Sequence, residues 1–143
     1  MDDTTLIDLA AGDARWEQAL PVLQELRPHL TADLLARVLD EGAPQGLRFT
    51  AVFAGGRCVA VAGWRIIANT SATRKMYVDD LSTAESERSR GYGRLLLDAL
   101  QERAVEAGCR FLDLDSGVQR FDAHRFYLRE RMDIVAHHFS RRI

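Results

Sequence analysis

The chain is short of most features that would mark a specialised class. It has only two cysteines, Cys58 and Cys109, among 143 residues. They stand in neither a metal-ligand spacing nor a disulfide framework. Both read as small buried hydrophobes, in or beside an apolar run. No apolar run approaches the roughly 20 residues of a membrane-spanning helix, so no membrane partner is expected. The start, Met1-Asp2-Asp3, lacks the basic residues and apolar stretch of a secretory leader. The expected location is therefore the cytoplasm. An excess of one charge is also missing: 19 Lys and Arg face 21 Asp and Glu. Sequence-independent nucleic-acid binding needs a dominant basic surface, so no nucleic-acid partner is expected. His137-His138 would point to opposite faces of a strand, and no metal site is expected.

What is present fits one globular domain spanning residues 1–143, with 47% apolar and 28% charged residues. Thr5 to Ala10 alternates as a first strand would. Asp13 reads as the N-cap of a helix carrying Trp16, Ala19, Leu20, Leu23 and Leu26, which Pro28 ends. Thr31 opens a second helix with Leu34, Leu35, Val38 and Leu39, closed by Gly42. Arg48 to Ala54 and Arg57 to Ile67 are strand-like around Gly55-Gly56, a hairpin signal. Arg74 to Thr83 is a further strand, and Gly91 to Ala107 is a helix stopped by Gly108. Phe111 to Asp115, Asp122 to Arg131 and Ile134 to Phe139 follow as strand, helix capped by Asp122, and final strand. The order is β-α-α-β-β-β-α-β-α-β, an α/β or α+β domain with a mixed sheet.

The most informative stretch lies between the strand ending at Thr83 and the helix after Gly91. A helix start presents free N–H groups and the positive end of the macrodipole. Gly91 and Gly93 carry no side chain to block close approach, and Arg88, Arg90 and Arg94 bring positive charge to the same place. This is an anion site at a strand-to-helix crossover. No Gly-Lys-Ser/Thr follows, and position 96 is Leu, so neither the P-loop nor the dinucleotide pattern is met.

Arg88-Ser89-Arg90-Gly91-Tyr92-Gly93 resembles the cofactor signature Gln/Arg-x-x-Gly-x-Gly/Ala of the GNAT superfamily of N-acetyltransferases. The strand before it, Leu95-Leu96-Leu97 after it and Ala123-x-x-Phe126-Tyr127 further on match as well. The resemblance implies a mixed, mostly antiparallel central sheet flanked by helices. It also implies an acetyl-CoA-dependent enzyme that acetylates a small-molecule or peptide amine by direct attack. Backbone groups at Leu81, Ser82 and Thr83 would bind the pantetheine arm, and N–H groups from Arg88, Ser89, Arg90, Gly91, Tyr92, Gly93 and Arg94 the diphosphate. Phe126 would line the cofactor, and Tyr127 would protonate the departing thiolate. Family members are often dimers, which implies a homodimer joined along an exposed final strand.

Asp79 and Asp80 are the candidates for drawing in the amine or relaying its proton. Simple alternation sends them to opposite faces, and a bulge would change which one points inward. Asp113 and Asp115 share a face and read as solvated. His29, between two helices, edges the acceptor side implied by the family. His124 reads as a surface residue, and Arg120, Arg125, Arg129 and Arg131 as a solvated basic face. The chain departs from the family at Ser89 (often Gly), at Arg120 (often Asn), and at Arg131-Met132 (usually Gly-Phe). The last departure implies a differently shaped final turn. Two other readings remain open: a non-catalytic acyl-CoA-binding regulatory module, and a phosphate- or nucleotide-binding interaction protein.

Overall fold

The computed structural model describes residues 3–143; Met1 and Asp2, part of the acidic start, lie outside them. The chain forms two compact units, one ending at Asp113 and the other running from Leu114 to Ile143.

The first unit is built on a sheet ordered β1-β2-β3-β4-β5. β1 (Thr4–Asp8), β2 (Arg48–Ala54), β3 (Arg57–Ile67) and β4 (Lys75–Thr83) pair antiparallel in succession. Gly55 and Gly56, at φ 57° and 80°, make the β2–β3 turn, a left-handed pair that residues with a Cβ adopt reluctantly. Helix α1 (Trp16–Leu26) and helix α2 (Ala32–Gly42) separate β1 from β2, and α3 (Tyr92–Glu106) connects β4 to β5 (Phe111–Leu114). Every period-2 and period-3.6 segment named in this unit is found, with boundaries moved by one or two residues.

One core cluster joins α1 and α2 to the sheet. Trp16, Ala19, Leu23 and Leu35 meet Phe49, Phe53 and Val61 there, and the Trp16 and Phe49 rings pack edge to face at 5.1 Å. α3 buries Leu96, Leu97, Leu100 and Ala104, and its Arg103 reaches Asp8 at 2.7 Å and lies over the Trp64 ring. Thr31 caps α2 by accepting from Leu34 N at 3.1 Å, an interaction that stabilises by about 1 kcal/mol. Asp13 does not cap α1 directly. The helix begins at Trp16, and Asp13 instead accepts from the Arg15 N–H and its guanidinium in the preceding turn. Gly42 has ordinary helical φ. It is small because a Cβ there would sit 2.7 Å from Leu47.

The second unit holds α4 (Phe121–Arg129). It starts one residue before the expected Asp122, whose carboxylate pairs with Arg125 rather than capping the helix. Its final turn is a correction to the sequence reading. Arg131 takes φ 65°, and Met132 N donates to Tyr127 O at 3.0 Å. This is the left-handed closure that glycine usually makes, adopted here by arginine. The strand expected at Ile134 to Phe139 is absent, since residues 133–143 carry no regular structure. Ile134, Val135 and Phe139 are exposed; β-branched and aromatic content gives strand propensity, but a strand exists only where a partner accepts its hydrogen bonds. Among the described residues no helix is long and apolar enough to cross a membrane.

Candidate active site

The turn between β4 and α3 is shaped by two left-handed residues, Ser89 at φ 66° and Gly91 at φ 86°. Successive amides in such a turn converge on one side and form an anion nest. Among the described residues, no acceptor engages the backbone N–H groups of Ser89, Arg90, Gly91, Tyr92 or Gly93; the first closing bond of the helix runs from Leu95 N to Gly91 O. No side chain caps α3 either. The macrodipole end is therefore open, which suits a diphosphate. Arg88 and Arg90 are exposed beside it, as is Arg94, which lies 3.8 Å from Asp98. The Tyr92 side chain is buried and adds packing, leaving its N–H to the turn.

One residue at this turn was missed in the sequence. Glu87 is buried in the 3-10 turn before Arg88. Its carboxylate accepts from Arg57 Nε at 2.9 Å and faces Arg90 at 3.2 Å. A lone Glu in an acidic run gives no signal of burial; only the hairpin's approach with Arg57 creates it.

Leu81, Ser82 and Thr83 pair with Ala62, Val61 and Ala60 of β3. On the other side, β5 begins beside Arg74, whose carbonyl accepts from Arg110 N. Its four residues do not reach the Leu81–Thr83 end of β4. Leu81 and Ser82 are buried, and Ser82 Oγ donates to Val22 O of α1 at 2.7 Å. Thr83 is half-buried.

Alternation fails at the two aspartates. β4 carries one extra residue: Gly63 pairs with Asp80 and Trp64 with Val78, leaving Asp79 between them. A bulge of this kind turns two consecutive side chains toward one face. Asp79 takes both guanidinium donors of Arg65, at 2.8 and 3.0 Å. Asp80 Oδ2 lies where a Cβ on Gly63 would be 3.3 Å away. Gly63 and Arg65 are two apart on β3, so both carboxylates belong to the same face. Arg27, at the end of α1, spans them, donating from Nε to Asp80 Oδ1 at 2.8 Å and from Nη2 to the Asp79 carbonyl at 3.1 Å. Asp80 Oδ2 accepts no hydrogen bond among the described residues. Burial raises the Asp80 pKa, Arg27 only partly offsets this, and neighbouring Asp79 raises it further.

Asp80 opens onto a cleft of about 360 Å³ beside α1 and α2. Leu23, Leu30, Leu35, Val38 and Phe49 form its apolar wall. Arg27 and His29 also line it.

In the second unit, the Phe126 and Tyr127 rings pack edge to face at 5.5 Å. Burial raises the Tyr127 pKa, against the charge and hydrogen bond of Arg120. Arg120, where the family often has Asn, is thus the charge that acts on the tyrosine hydroxyl. His124 Nε2 lies 2.8 Å from Gly117 O and ties down the preceding loop. Asp113 is not simply solvated, since Lys75 pairs with it at 3.0 Å. Asp115 is exposed, 3.5 Å from His138. Cys58 is buried, and burial pushes its thiol up to about 12. Cys109 is only half-buried, which corrects its reading as a core residue. Among the described residues no cluster of three His, Cys, Asp or Glu could hold a metal.

The chain is similar to known acetyltransferases in sequence and in fold. The model of the acetyltransferase (GNAT) family matches residues 11–132. The uncharacterized N-acetyltransferase YhdJ of Bacillus subtilis (strain 168) is 32% identical over 113 residues, covering 78% of this chain and 80% of that protein. A putative acetyltransferase from Agrobacterium tumefaciens str. C58 superposes with a TM-score of 0.81 at 27% identity, covering 97% of this chain and 99% of that one. The aminoglycoside N-acetyltransferase AAC(6')-Iy, solved in complex with CoA, gives a TM-score of 0.84 at 15% identity, covering 98% and 94%. With its family pattern spanning all but the ends of the sequence and its sheet, crossover helix and nest in the matching order, the chain belongs to the GNAT family of N-acetyltransferases.

Proposed function

We propose that this protein transfers an acetyl group from acetyl-CoA to a primary amine by direct attack in a ternary complex. The observation that carries the reading is the open run of backbone N–H groups at the head of α3, flanked by arginines, within a GNAT sequence. These donors, with Arg88, Arg90 and Arg94, hold the diphosphate. The backbone of Leu81–Thr83 binds the pantetheine amides as an added strand, and Phe126 packs against the cofactor. Acetyl-CoA supplies the thioester that the amine attacks and the thiolate that leaves. Asp80 draws in the ammonium through Oδ2 and accepts its proton. Its raised pKa makes it a better base than an ordinary aspartate. Asp79, locked to Arg65, positions the bulge. Tyr127 donates the proton to the thiolate; its match to the family's tyrosine and its retained hydroxyl proton support this role.

Residues 1–143 are read as a single GNAT domain, a reading supported by the family match over residues 11–132. Two free cysteines suit a cytoplasmic location. The acceptor is a small-molecule or peptide amine. A structural neighbour named for aminoglycosides makes small molecules the first class to assay.

The test is calorimetry with CoA on the wild type and Gly91→Glu. Glutamate there adds bulk and negative charge at a left-handed position. CoA affinity is expected to fall at least 100-fold with the circular dichroism spectrum retained. Unchanged affinity would remove the diphosphate from this turn and the proposal with it.

A further inference from the structure

We infer that the acceptor is a primary monoamine with a compact apolar body, and not a polycation. This rests on the reading of Asp80 as the amine-facing carboxylate. The cleft leading to it offers one open carboxylate oxygen at the end of a wall of leucine, valine and phenylalanine side chains.

Charge decides the first half of the inference. Among the lining residues Asp80 is the sole carboxylate, and Arg27 already engages its Oδ1. The adjacent carboxylate of Asp79 is taken by both donors of Arg65. One ammonium can find Oδ2. A second or third ammonium on the same molecule would meet Arg27, His29 or apolar wall instead. A charge left unpaired in such surroundings strongly disfavours the ligand that carries it.

Apolar surface decides the second half. Leu23 and Phe49 line the cleft although almost fully buried, and Val38, which also lines it, is exposed. This wall gains by contact with hydrocarbon and gives no hydrogen bonds to sugar hydroxyls. The volume, near the small end of ordinary ligand pockets, suits a single ring or short alkyl chain better than a chain of sugars. Gly63 helps to set that volume. A Cβ there would come within 2.7 Å of the Phe49 ring and 3.3 Å of Asp80 Oδ2, so glycine lets the ring and the carboxylate share one end of the cleft.

The experiment has two readouts on the full chain with CoA species present. In the first, methyl spectra of Leu35 and Val38 are followed while 2-phenylethylamine, spermidine or kanamycin is added with CoA. Phenylethylamine is expected to shift both residues' methyls and the two polycations to leave them. In the second, thiol release from acetyl-CoA is measured. The kcat/KM for 2-phenylethylamine is expected to exceed that for spermidine and kanamycin at least about 10-fold. Val38→Asp, at an exposed helix position, should shrink that ratio by a similar factor. Equal or faster turnover of either polycation overturns the inference while leaving an acetyltransferase in place. Unmoved methyls with phenylethylamine also overturn it. If no amine releases thiol while phenylethylamine shifts Leu35 and Val38, the ligand class stands and the transfer reading fails.

Discussion

Asp79 and Asp80 are neighbours of identical chemistry, yet the fold gives them different partners. Asp79 has both oxygens filled by Arg65, whereas Asp80 keeps Oδ2 open and its proton affinity high. The difference arises from partners on β3 and α1, so the dipeptide itself could not reveal it. Tyr127 presents the complementary case. Burial keeps its proton in place through neutral pH, and Arg120 beside it moderates that shift by stabilising the phenolate. A phenol that gives up its proton to a thiolate in the transition state is needed for turnover more than for holding the cofactor. Tyr127→Phe is therefore expected to lower kcat by at least about 10-fold, with the CoA dissociation constant changed less than about threefold by calorimetry. Parallel losses in both would make Tyr127 a binding residue. Its candidacy rests on Phe126-Tyr127 falling at the family spacing, which was readable. The influence of Arg120 on its proton was not, since a charge in a basic run reads as solvated.

At the scale of elements, the sequence showed the strands and helices wherever apolar periodicity was strong, and it failed where geometry comes from pairing. The β4 bulge has no local residue signal, because an extra residue is defined only against β3. The final strand had the right residues and no partner. The turn before α3 was legible through Gly91, but the left-handed backbone of Ser89 was not, since a serine at φ 66° adopts a conformation for which glycine is the default. The β3–β4 register makes a prediction of its own. Gly63 has an ordinary φ, so alanine there meets no backbone strain. It meets the Phe49 ring instead, 2.7 Å from its Cβ. Overpacking of a core at this distance costs about 1–3 kcal/mol. Gly63→Ala is expected to lower the melting temperature by several degrees and to raise the KM for the amine more than that for acetyl-CoA. An unchanged amine KM would detach the Phe49–Asp80 end of the cleft from acceptor binding.

For the whole molecule, stability and activity place opposite demands on Asp80. The folded chain holds the Asp80 proton to a higher pH than the unfolded chain, whose carboxylate has the ordinary value of 3.8. Folding therefore takes up a proton in the interval above 3.8, and stability falls as pH rises through it. Asp8 has the opposite sign. Burial raises its pKa, but hydrogen bonds from Arg103 and Thr50 outweigh this and leave it lowered. Its contribution is present above 3.8 and is lost as pH falls through the lowered value; with an exposed side chain it is small. Asp80, the more buried of the two, thus makes the neutral-pH protein less stable than an uncharged side chain of the same shape would. Arg27 can rehydrate if released, because its side chain is 46% exposed. Asp80→Asn is accordingly expected to raise the melting temperature at pH 7, with a smaller gain at pH 3 where aspartate is itself protonated. The same change removes the proposed base, so kcat/KM for the amine should fall at least about 10-fold. Stability gained at the expense of turnover is the mark of a charge retained for function. A melting temperature that drops at pH 7 would show instead that the Arg27 pair outweighs the cost of burial, and would make Asp80 a structural residue.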